Sequence, residues 1–256
     1  MADGKDIDGS SSTGHKPFVE PLFPPAQISI EDVRAVFIDA FLMTHYLHTN
    51  HPSVLPDTLS PRNIRFHRAA SQEAVCVIVD LDSHAHPSNP DARPSTHGTL
   101  PFNAYDLMPS LETPTKSNSA APYKRYRHIL EALYYIFLWA VSSPVQQWID
   151  RGPDALLRVL KHRIARTTFM WDATAAFAEV QPEFAPLVGA WLRPLWRLVS
   201  DAHFACRCLT GEEKMEKLDS MLTLDRVVEI LRAGGGFDLR IATLIPVPGE
   251  DSDEGL

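Results

Sequence analysis

The sequence predicts a mainly helical fold carrying one short β-hairpin. Three observations lead there. A stretch after Ser29 places apolar residues at helical spacing, the run from Tyr123 to Val141 is apolar on every side, and two short β-type segments, Ile64–His67 and Ala74–Val79, flank a polar break.

Taken in order, residues 1–26 are rich in Gly, Ser, Asp and Pro, bury too little apolar surface to offset the cost of ordering, and are expected to form a disordered tail. Ser29 then has the character of an N-cap, with Asp32 three residues on as a capping box. Val33, Val36, Phe37, Ala40, Phe41 and Leu47 follow with a 3.6-residue period, which predicts a helix over about 30–49. Pro56 and Pro61 break the chain before the hairpin, whose second strand, Ala74-Val75-Cys76-Val77-Ile78-Val79, reads as buried on both faces. Residues 83–122 are dominated by Pro, Ser, Thr, Asn and His around one apolar island, Leu100-Pro101-Phe102, and predict a long loop.

The all-round apolarity of the next segment predicts a central buried helix over about 124–141. Gly152-Pro153-Asp154 opens a further helix with Pro in its first turn, and others are expected at about 171–180, 184–207 and 223–233. Pro194 should kink the longest of these, and Gly234-Gly235-Gly236 should end the last. Residues 237–256 read as a C-terminal extension ending in an acidic tail from Gly249 to Leu256.

Composition narrows the function classes. Lys and Arg number 24 against 32 Asp and Glu, a net charge of −8, so the overall field repels phosphate backbones and anionic membranes, and nucleic acid is not an expected partner. The longest apolar run, Ala132–Val141, is ten residues, short of the roughly 18–20 that cross a bilayer, and the polar start of the chain has no signal-like apolar region. No membrane anchor is expected. The three cysteines, Cys76, Cys206 and Cys208, suit neither a disulfide framework nor a zinc spacing, which points to a reducing intracellular compartment, cytoplasmic or nuclear.

Four motifs in order carry a family resemblance. Leu59-Ser60-Pro61-Arg62-Asn63-Ile64, Val77-Ile78-Val79-Asp80-Leu81-Asp82, Gly98-Thr99-Leu100-Pro101-Phe102-Asn103-Ala104 and Tyr126-Arg127-His128-Ile129-Leu130-Glu131-Ala132-Leu133-Tyr134-Tyr135 resemble, in turn, the end of the catalytic loop, the magnesium-binding Asp motif, the close of the activation segment and the buried helix of the fungal-type protein kinase family. The resemblance spans about residues 28–235 and is dense in motifs from 54 to 141. It implies a protein-kinase-like C-terminal lobe over residues 27–236, a phosphotransferase family activity, and magnesium and ATP as cofactors.

Kinase catalysis positions and neutralises a transferring phosphoryl group: one Asp takes the hydroxyl proton, while an Asn and a second Asp hold magnesium. The resemblance puts Asn63 and Asp80 at the magnesium- and ATP-holding positions. It puts Thr58 at the position of the base, with Asp57 one residue out of register. The Asp that in this family starts the buried helix and ties down the catalytic-loop backbone is Ile129 here, and Glu131, two positions on, lies about 200° round the helix. Neither a Gly-rich loop nor a strand Lys precedes the first helix, where Lys5 and Lys16 sit in polar sequence. The resemblance therefore implies a catalytically impaired pseudokinase fragment acting through an unknown protein partner. The alternative is an active ATP-dependent Ser/Thr protein kinase whose other lobe comes from a partner or from sequence missing here.

Other constellations have plainer readings. His45, His48 and His51 end the first helix, where imidazoles suit the terminal carbonyls better than a metal. His84 and His86 follow Asp80 and Asp82 in what reads as a solvated loop. Cys206 and Cys208 should be one buried and one exposed thiol, and Trp139, Trp171, Trp191 and Trp196 should be core.

Overall fold

The computed structural model describes residues 20–21, 28–52, 59–69, 71–79, 102–107, 125–142, 167–238 and 240. The helix expected from Gly152, His84 and His86, and the acidic tail lie outside them.

Helix α1, Ile30–Asn50, begins where its local chemistry dictates. The Ser29 hydroxyl accepts the Asp32 N–H at 3.1 Å while the Asp32 carboxylate accepts the Ser29 N–H at 3.1 Å, so two otherwise orphaned amides are satisfied. Its buried face, Val33, Val36, Phe37, Ala40 and Phe41, packs onto the sheet and the central helix. In the sheet, strand β1, Glu20–Pro21, pairs antiparallel with β2, Ile64–Arg68, which pairs antiparallel with β3, Ala74–Ile78, giving the order β1-β2-β3. Part of the expected tail thus joins the sheet, because the free edge of β2 offers unpaired backbone groups to any extended segment. Ile64, Phe66, Ala74, Cys76 and Ile78 fill the inner face, whereas Val75 and Val77 are only half-buried. The expectation that β3 is covered on both faces is corrected: one face is sealed by the core, and the other is partly open.

The central helix α2, Tyr126–Val141, is buried from Arg127 onward. Ile136 and Phe137 are fully enclosed and Trp139 nearly so. Phe137 sits 4.4 Å, centroid to centroid, from Phe37 on α1 and 5.8 Å from Trp191 beyond, so one residue joins three segments of the core. A helical stretch at 167–171 and the short α3, Thr174–Ala178, follow. A 3₁₀ turn at Pro182–Phe184, an α turn at Ala185–Leu187 and a π-helical turn at Val188–Leu192 then lead into α4, Arg193–Ala205. The irregularity expected at Pro194 takes the form of that π turn, which ends two residues before the proline that has no N–H to give.

Helix α5, Gly211–Met221, was not anticipated. Only Leu218 of it is buried, so no apolar stripe marks it. Helix α6, Leu224–Ala233, is capped by the Thr223 hydroxyl and ends at Gly234. A Cβ on Gly234 would stand 2.2 Å from the Trp191 indole and 2.6 Å from the Ala190 carbonyl oxygen, so only glycine permits this packing. The folded body continues past 236: Phe237 and Arg240 are buried. Arg240 pairs with the buried Asp39 of α1, its Nε 2.7 Å from Oδ1, and donates to the Ala74 carbonyl at 3.1 Å, while the Cys76 N–H donates to the same carboxylate. A charge pair thereby stitches α1, β3 and the C-terminal turn.

One aromatic departs from the sequence expectation. Trp171 is 64% exposed, because it terminates the 167–171 helical stretch and projects away from the core, beside Phe204 of α4. Among the described residues no helix is long and apolar enough to cross a membrane.

Candidate functional site

The loop Leu59–Asn63 is built from its two ends inward. Leu59 and Ile64 are buried and fix the loop to the core. Between them the Asn63 N–H donates to the Ser60 carbonyl at 3.0 Å and the Arg62 N–H to the Ser60 hydroxyl at 3.3 Å, closing a turn around Pro61.

Asn63 is half-buried and joins this turn to the end of β3. Its Oδ1 accepts from the Ser60 N–H at 3.0 Å and from the Ser60 hydroxyl at 2.9 Å, and its Nδ2 donates to the Val79 carbonyl at 3.3 Å. The Val79 N–H donates back to the Asn63 carbonyl at 2.9 Å. These partners fix the amide orientation, since an N–H requires the oxygen and a carbonyl requires the nitrogen. Both oxygen lone pairs are occupied, so the residue as placed does not present a metal ligand. Asp57, Thr58 and Asp80 lie outside the described residues. Among the described residues no group of three His, Cys, Asp or Glu comes together as a metal site.

Among the described residues no hydrogen bond runs from α2 to this loop. Ile129 is buried as a packing residue. Glu131, on another side of the helix and completely buried, accepts the Tyr105 N–H at 2.8 Å, the Tyr135 hydroxyl, and His203 Nε2 at 3.0 Å. Burial pushes its carboxyl up, but the charge and hydrogen bond of His203 outweigh this and hold it below the ordinary range. Arg127, also buried, reaches Asp106 at 2.7 Å through Nη2 and Asp219 at 2.8 Å through Nε. His128 Nδ1 accepts the Arg125 N–H at 3.1 Å, leaving Nε2 to face Asp106 at 3.3 Å. For Asp106 burial again acts upward, and the hydrogen bonds from His128 and Arg127 drive the carboxyl well below the usual carboxylate range.

These residues clamp Phe102–Leu107 onto α2. In the sequence Arg127, His128 and Glu131 stand out only as members of a motif, and nothing local marks Asp106 or Asp219 as their partners. A charged residue inside an otherwise apolar helix was the available signal, since such a group must find a partner.

The other candidates resolve into packing. His48 stacks on Tyr126 at 4.7 Å, and His45 lies 5.4 Å from the same ring. Burial, then the neighbouring His45, lowers the pKa of His48. Cys206 is buried and Cys208 exposed, as expected; Cys76 is buried, which pushes its thiol far up. Comparison of the chain with protein-family models, with curated proteins and with solved structures finds no match.

Proposed function

We propose that this chain is a protein-kinase-like C-terminal lobe of the fungal type that is catalytically impaired and acts through protein interaction. The observation that carries the reading is the state of Asn63. It links the end of the loop to the end of β3, as the resemblance implies for a residue beside the magnesium-binding Asp, yet its amide oxygen is spent on Ser60. Magnesium and ATP, if bound, would be held by Asn63 and Asp80, and Asn63 would first have to release Ser60. Thr58 at the base position has no carboxylate, and Ile129 supplies no hydrogen-bond acceptor to hold the loop. Two of the contacts that phosphoryl transfer relies on are thus unsupported, and transfer depends on positioning to about an ångström.

The test is transfer of radiolabelled phosphate from Mg-ATP to a generic Ser/Thr substrate by the wild type, Thr58→Asp and Asp80→Ala. The expected result is background transfer in all three, because one restored carboxylate does not free Asn63 or replace Ile129. Transfer by the wild type that disappears in Asp80→Ala would overturn the reading in favour of an active Ser/Thr protein kinase.

A further inference from the structure

We propose that the cleft between Trp171 and the junction of α4 and α5 binds an acidic peptide segment of a partner protein bearing a large apolar side chain. The inference gives the interaction role proposed above a surface and rests on that role.

Trp171 and Phe204 are 64% and 50% exposed, and their rings meet edge to face at 5.6 Å. Two large aromatics held together in water expose apolar surface that the chain's own core does not use. Together with Tyr105, His203, Arg207 and Lys214 they line a cleft of about 320 Å³, room for one or two side chains.

Its charge has one sign. The Arg207 guanidinium lies 4.4 Å over the Phe204 ring, and Lys214 stands at the same mouth. Among the described residues neither cation has an acidic partner, and no Asp or Glu lines the cleft, although acidic residues outnumber basic ones 32 to 24 in the chain. A cationic, aromatic recess complements an anionic segment and repels the same recess of a second copy. The floor is rigid: His203 is pinned by buried Glu131 at 3.0 Å, and the Ser200 hydroxyl donates to the Met170 carbonyl at 2.7 Å. Aromatic and arginine side chains on a fixed floor are the composition in which binding energy concentrates.

The probe is a fluorescein-labelled peptide, Glu-Glu-Leu-Phe-Glu-Glu, titrated with the full chain and read by polarisation. Binding is expected to be saturable, to weaken with added salt, and to fall about tenfold or more in Trp171→Ala and in Arg207→Glu. Both side chains are exposed, and unchanged circular dichroism and melting would show that the variants fold. Saturable binding should be absent for a peptide with Lys in place of each Glu. Equal binding of the Lys peptide, no binding of the Glu peptide, or indifference to both substitutions would overturn the proposal. So would a dimer in sedimentation that Trp171→Ala dissolves, since the occupant would then be a second copy. A full chain carrying Glu250→Gln, Asp251→Asn, Asp253→Asn and Glu254→Gln that binds tenfold better would make the chain's own tail the occupant, again against the proposal. Failure here leaves the phosphate-transfer result untouched, so the loss of this surface and the loss of the pseudokinase reading are separable.

Discussion

Two short segments of the molecule are held in different ways. Phe102–Leu107 is clamped by three side chains of α2, Arg127 and His128 on Asp106 and Glu131 on the Tyr105 amide. The loop Leu59–Asn63 instead closes on itself through Ser60 and Asn63. The clamped contacts tie a segment to the central helix through buried charges, whereas the loop is held by its own turn.

The largest expected effect is at the clamp. Arg127→Ala leaves Asp106 and Asp219 without their shared cation, and removing one partner of a buried charge pair typically costs about 3–5 kcal/mol. Urea unfolding would measure it. A loss below about 1 kcal/mol would break the contrast, because the clamp would then be no firmer than the self-closed loop.

Acid should weaken the clamp. The carboxyls of Asp106 and Glu131 are held below their ordinary values of 3.8 and 4.5, so each stabilises the fold fully above its unfolded pKa, and that stability is lost as pH falls through the folded one. Melting temperature is therefore expected to drop from about pH 5 downward. Asp106→Asn should melt lower at neutral pH and show a shallower fall in acid. An unchanged acid limb in this variant would show that Asp106 does not set the acid response.

The smallest effect is expected at the loop. Asn63→Ala deletes three hydrogen bonds in a half-buried turn, worth about 1 kcal/mol net, since water partly replaces them. Hydrogen exchange should speed at the Val79 amide while α2 amides stay protected. Global unfolding by this change would mean that the loop is integral to the core.

The sequence carried what is local. Helix α1 was legible because its capping box and apolar period lie within one segment, and α2 because nothing but burial suits an all-apolar helix. The hairpin was legible from two apolar runs around a polar break, although the partial exposure of Val75 and Val77 and the third strand at Glu20–Pro21 were not. What stayed hidden depends on distant partners. Helix α5 is polar and is held by ion pairs from Arg125 and Arg127, about 90 residues earlier, to Glu212 and Asp219. Arg240 reads as a surface residue until Asp39, 201 residues away, is beside it. Glu131 was judged only as a poor stand-in for the loop-holding Asp; its work lies with Tyr105 and His203, 26 and 72 residues distant. Trp171 misled because an apolar neighbourhood in sequence does not decide which way the last residue of a helical turn projects.

The most direct test of the proposed pseudokinase role is calorimetric titration of the full chain with Mg-ATP, run beside Asp80→Ala. Enzymes that use a substrate hold it at about 1 μM to 1 mM, which sets the scale. With Asn63 committed to Ser60, no saturable heat tighter than about 1 mM and no difference between the two proteins are expected. Saturable binding within that range, abolished by Asp80→Ala and dependent on magnesium, would contradict it.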